Sequence, residues 1–76
     1  MKDLVTYLVK GLVDEPGQVH VREVVGEKAM VVEVEVASSD RGKLIGKEGR
    51  TIRAVRALVN ACASRTGRRV VVEVLD

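Results

Sequence analysis

Met30, Val32, Val34 and Val36 fall on one side of an extended chain, while Glu33 and Glu35 fall on the other. A period of two commits this stretch to a strand with one dry and one wet face. Such a strand is stable only with neighbours to pair with and a layer to cover its apolar side. The chain has 76 residues in which to supply both.

The rest of the sequence offers those parts in order. Leu4, Val5, Leu8, Val9 and Leu12 recur at helical spacing and predict a helix from about residue 2 to 13, stopped by Asp14-Glu15-Pro16-Gly17. Val19 and Val21 alternate with His20 and Arg22, which predicts a half-buried strand to about Val25. Gly26-Glu27-Lys28 then supplies a hairpin turn. Ser38-Ser39-Asp40 reads as a helix start with a side-chain oxygen available as cap, opening a short helix punctuated by Gly46 and Gly49. A longer helix is expected from about Arg50 to Arg65, with Ile52, Val55, Leu58, Val59 and Cys62 as its buried stripe. Gly67 suits the residue after a helix, and the Val-rich run from Arg69 to Leu75 closes the chain as a strand. The expected class is α+β, order αββααβ, as a single domain over 1–76. A three-stranded mixed sheet carries the helices on one face, and the last strand returns parallel to one of the first two.

Composition removes several classes of function. Tyr7 is the sole aromatic residue, so the chain cannot build the stacking platforms of RRM or OB folds. One cysteine, Cys62, excludes an internal disulfide and a multi-cysteine zinc site. No metal site or cofactor is expected. No apolar run reaches the length of a membrane span, no signal peptide is evident, and a cytoplasmic location is expected. Gly42 to Lys47 imitates a P-loop, but three residues separate Gly42 from Gly46 and Glu48 follows Lys47, so nucleotide hydrolysis is rejected. His20 stands alone on a strand, and Cys62 reads as a small core residue. No nucleophile, base and orienter come together, and an enzyme is not expected.

Charge is what remains distinctive. From Arg41 to Arg69 there are nine basic residues and one acid, Glu48, whereas residues 1–40 hold four bases against eight acids. Within the basic segment, Gly46-Lys47-Glu48-Gly49 joins two helical patterns. Glycine at 46 and 49 permits a sharp turn and removes Cβ atoms that would hold a phosphate away. The amides of Gly49, Arg50 and Thr51 open the next helix and are expected to present unpaired donors. Lys47 at the tip, with Arg41, Lys43, Arg50 and Arg53 nearby, adds a positive field of the kind a phosphate backbone binds. Glu48 either offsets Lys47 or joins local hydrogen bonding, and the sequence leaves both open.

Leu44-Ile45-Gly46-Lys47-Glu48-Gly49 resembles the (V/I/L)-I-G-x-x-G signature of KH domains, and the element order is that of their type II topology. Over its whole length the chain resembles the small bacterial single-domain KH proteins of the KhpA family. That resemblance implies single-stranded RNA lying in a groove beside the turn, with about four nucleotides clamped. It also points to Ile45, Val34 and Val36 as groove floor, although all three serve equally well as core. A larger Jag-like, KhpB-type KH partner is a further implication of the resemblance alone. The RNA-binding set is thus Gly46, Lys47, Glu48, Gly49, Arg50, Thr51, Arg41, Lys43, Ile45 and Arg53, in a protein of RNA-chaperone or post-transcriptional regulator type.

Arg65, Arg68 and Arg69 read as serving the C-terminal end or solubility. The competing function is a protein-interaction module, in which the first helix or the Val-rich strands form a homodimer or heterodimer face and the glycine turn is vestigial.

Overall fold

The computed structural model describes residues 1–75. Helix α1 spans Lys2–Leu12, strands β1 and β2 span His20–Val25 and Ala29–Glu35, helix α2 is the short Arg41–Ile45, α3 runs Arg50–Ala63, and β3 is Arg69–Val74. Single 3₁₀ turns occupy Pro16–Gln18, Ser38–Asp40, Lys47–Gly49 and Ser64–Thr66. The sheet order is β1-β2-β3. β1 meets β2 antiparallel and β3 meets β2 parallel, the mixed pattern expected.

Alternation decides which face is covered. Val32 and Val34 are completely buried with Val72 beside them, and Val5 and Val9 of α1, Leu44 of α2 and Val59 of α3 close over them. Fully burying one such side chain contributes about 1.5–3 kcal/mol. The opposite sheet face keeps its charges, and Arg22 Nε donates to Glu33 Oε1 across the ladder at 2.8 Å. The hairpin closes through the Gly26 amide donating to the Ala29 carbonyl at 2.9 Å. Gly67 adopts the left-handed φ of 73° expected of a residue after a helix.

Two expectations are corrected here. Leu58 is 47% exposed and Cys62 is also exposed, whereas Ile52, Val55, Val59 and Ala63 face the core. At about 100° per residue these last four fall within a narrow arc. Leu58 and Cys62 lie beyond its edge, and Leu58 borders α1 there. Nor does Ser38-Ser39-Asp40 supply a side-chain cap to the helix. The Arg41 amide is satisfied by the Ser38 carbonyl within the 3₁₀ turn. That leaves the Asp40 carboxylate, 1% exposed, to accept from the amides of Asp14 at 3.1 Å and Glu15 at 2.9 Å. Both donors lie just past the end of α1 and would otherwise lack partners. Asp40 therefore clasps the α1–β1 connection to the start of α2.

Candidate nucleic-acid interface

The turn between α2 and α3 is built around a residue that must be glycine. Gly46 has φ 79° and ψ 170°, a region open essentially to glycine alone. A Cβ there would sit 2.3 Å from Thr51 Oγ1 and 2.7 Å from Thr51 Cβ. Thr51 thus occupies the space Gly46 vacates and fixes how closely the two helices approach. Gly49 has φ 74° and Glu48 φ 57°, so two successive left-handed residues reverse the chain into α3.

Hydrogen bonding inside the turn corrects the assignment of free donors. The Gly46 amide donates to the Gly42 carbonyl at 2.8 Å, Gly49 to Gly46 at 3.1 Å, and Arg50 to Lys47. The Gly49 and Arg50 amides are therefore spent within the turn, because it closes as a 3₁₀ loop before the helix begins. The amides of Lys47 and Glu48 have no backbone partner among the described residues. They are the donors at the tip, beside the exposed Lys47 side chain.

The charged residues divide. Glu48 Oε2 lies 3.5 Å from Arg50 Nη2, with both side chains about two-thirds or more exposed (67% and 71%). That pair is screened by water and contributes at most about 1 kcal/mol, and it turns the one acid of the segment toward its neighbour. The ammonium of Lys43 pairs instead with Asp14. Its hydrogen bond to that carboxylate holds the Lys43 pKa above the ordinary lysine value, with the Asp14 and Asp40 charges adding to the effect against a small desolvation. Arg53 is exposed on α3, and Arg41 is half-buried at the other end of α2 from the turn. Ile45 is 39% exposed beside the turn and free to meet a ligand. Val34 and Val36 are not: at 0% and 7% exposure they are core, and the groove floor expected of them is not there.

A different groove lies beside the turn. Gly49, Arg53, Arg56 and Asn60 follow one another along a single face of α3. Arg56 and Asn60 reach the free edge of β3, and with Arg69 and Val70 to Val72 they line a groove of about 420 Å³. The Arg69 and Leu75 amides donate toward β2, so the even-numbered residues of β3 turn their main chain outward. Asn60 Oδ1 accepts from the Val70 amide at 3.2 Å, and Arg56 Nε donates to the Val72 carbonyl at 3.1 Å. Sequence reasoning passed over Arg56 and Asn60 as ordinary surface residues. Their helical spacing from Gly49 was the available signal.

Among the described residues no cluster of histidine, cysteine, aspartate or glutamate could hold a metal, and no helix is long and apolar enough to cross a membrane.

Comparison with known proteins shows the family and the fold. The chain is 47% identical over 76 residues to the RNA-binding protein KhpA of Chlamydia caviae, covering 100% of this chain and 97% of that one. It is 47% identical over 75 residues to the RNA-binding protein KhpA of Clostridium perfringens, covering 99% and 100%. Among solved structures it resembles Aquifex aeolicus Era bound to GDP and aluminium fluoride, at 18% identity and TM-score 0.65. It also resembles Era in complex with MgGDPNP and nucleotides of 16S ribosomal RNA, at 19% identity and TM-score 0.63. Each likeness covers 96% of this chain and 28% of the Era chain, and shows a shared fold. The family model for the KhpA/KhpB KH domain matches residues 2–74. With the order αββααβ, a mixed sheet and the glycine turn between α2 and α3, this chain is a type II KH domain and belongs to the KhpA/KhpB family.

Proposed function

We propose that this protein binds single-stranded RNA, as a post-transcriptional regulator or RNA chaperone working in the cytoplasm, and that residues 1–76 form one KH domain with no catalytic role. One observation carries the reading: the main-chain donors of Lys47 and Glu48, without a partner among the described residues, stand at an exposed tip beside the lysine side chain. Amides so arranged suit a phosphate oxygen. Arg50, Thr51 and Gly49 frame the tip, with Arg53 and Arg41 as outer cations and Ile45 as an apolar contact for a base. Lys43, held by Asp14, contributes less than its charge suggests. From the clamp the strand runs toward the groove of Arg56, Asn60 and Arg69, where the β3 edge offers main-chain groups to base edges. The relatives' name, RNA-binding protein KhpA, supports the same ligand.

The test is the paired substitution Lys47→Asp with Glu48→Asp. Aspartate tolerates the left-handed conformation at 48, so the fold is expected to survive while two carboxylates meet the phosphate. RNA affinity falls at least about tenfold; unchanged affinity in a folded variant refutes the clamp. In competition, duplex RNA loses to single strands of equal length.

A second reading has its own observation. α1 and α3 enclose a mainly apolar groove of about 610 Å³, in which Tyr7, Leu8, Leu12, Ala54, Val55 and Leu58 are joined by Lys10 and Thr51. Tyr7 is 77% exposed there. A cleft of that size and character suits a protein partner, and we assign it to a homodimer contact. A larger KhpB-type, Jag-like protein is the competing occupant. Sedimentation of the pure protein tests the assignment: a dimer that Leu58→Lys dissociates supports it, and a monomer at all concentrations contradicts it.

A further inference from the structure

Arg41 carries a feature that the phosphate clamp does not use. Its Nε is buried and has no hydrogen-bond partner among the described residues. A buried guanidinium donor without a partner is uncommon in a folded protein and calls for an explanation. The side chain lines a pocket of about 300 Å³ with Gln18, His20, Glu35, Val36 and Ser38. Glu35 is exposed and makes no ion pair among the described residues. His20 stands directly across the ladder from it.

We infer that this pocket is a guanine-selective subsite, a refinement that rests on the RNA-binding reading above. A guanidinium offers parallel N–H donors in a fork, and guanine's O6 and N7 form the acceptor pair that matches it. Guanine also carries N1–H and an exocyclic amine on its other edge, which a carboxylate accepts. Glu35 is the carboxylate available. The exposed imidazole of His20 gives the ring a stacking surface. The alternatives fit less well. Adenine has an amine where guanine has O6, so the fork meets a donor. Uracil and cytosine have no N7. A bare phosphate would satisfy Arg41 but stand against the Glu35 charge. Arg41 lies one helical turn from Ile45, within reach of a short strand clamped at the turn.

The experiment measures affinities by fluorescence anisotropy for three decamers: all uridine, uridine with one internal guanosine, and the same with 7-deazaguanosine, which lacks the N7 acceptor. The wild-type protein is expected to favour the guanosine strand over oligouridine by about tenfold, and 7-deazaguanosine to forfeit most of that gain. Arg41→Lys keeps the charge and removes the fork, so its guanosine-to-uridine ratio falls toward one. Equal affinity of the wild type for the first two strands overturns the subsite and leaves the clamp standing. So does a guanosine preference that survives both 7-deaza substitution and Arg41→Lys. Failure of every decamer to bind removes the RNA-binding reading, and the subsite with it.

Discussion

The two flanks of α3 are made from one fourteen-residue helix and invite opposite partners. One carries Arg53, Arg56 and Asn60 beside the free edge of β3; the other carries Ala54 and Leu58 beside α1. On the first flank the available energy is electrostatic and directional, exchanged against counterions and water. On the second it is desolvation of aliphatic surface, which is insensitive to charge. A stripe two residues off the buried arc is enough to separate the chemistries. On the two assignments proposed above, RNA and a protein partner are expected to meet different sides of α3.

The largest effect should come from Gly46→Ala, because it strikes the hinge on which the RNA flank depends. The methyl meets Thr51 and the backbone must leave a region closed to alanine. We expect a loss of about 3 kcal/mol in stability by denaturant unfolding and roughly a hundredfold in RNA affinity. Retained affinity in the folded variant would show that RNA binding does not depend on this turn.

Salt gives the next largest separation. With about four phosphates neutralised, the log–log slope for a single strand is roughly −3, so raising salt fourfold costs RNA about sixtyfold. Self-association through the apolar flank should stay nearly flat over the same range. Equal slopes would mean that one surface serves both.

Leu58→Lys is the reciprocal probe. It should abolish association, at least about tenfold in dissociation constant, while RNA affinity stays within about twofold and stability within about 0.5 kcal/mol, since the side chain is half exposed.

The smallest effect concerns Lys43. Its pKa is raised in the fold by the hydrogen bond to Asp14. A base with a raised folded pKa contributes stability that is fully present below the unfolded pKa and is lost as pH climbs through the folded one. Wild type and Asp14→Asn should therefore differ slightly in Tm at neutral pH and converge in the strongly alkaline range. The same substitution frees Lys43 and should raise RNA affinity modestly. A Tm gap that widens with alkaline pH would reverse the sign.

Most of the architecture was legible in the sequence, because periodicity is local: the alternation at Met30–Val36 and the turn at Gly46–Gly49 each declare themselves within a few residues. What was illegible is set by distance or by handedness of a turn. The Asp40 carboxylate satisfies donors 25 and 26 residues away, and no local pattern marks it apart from a capping residue. The donors at the tip depend on whether the loop closes three or four residues back, which glycine spacing leaves undetermined. Leu58 and Cys62 continue the apolar stripe past the arc that the core covers, and periodicity does not say where that arc stops. Arg56 and Asn60 look like surface until β3 returns beside them.

The most direct measurement follows the backbone amide signals of Lys47 and Glu48 by NMR as a short single-stranded oligoribonucleotide is added. They should shift first and furthest, saturating together, with Arg53, Arg56 and the Val70 amide following. If those two signals stay fixed while Tyr7, Leu12 and Leu58 move, the RNA is held by the other flank and the account given for this turn is wrong.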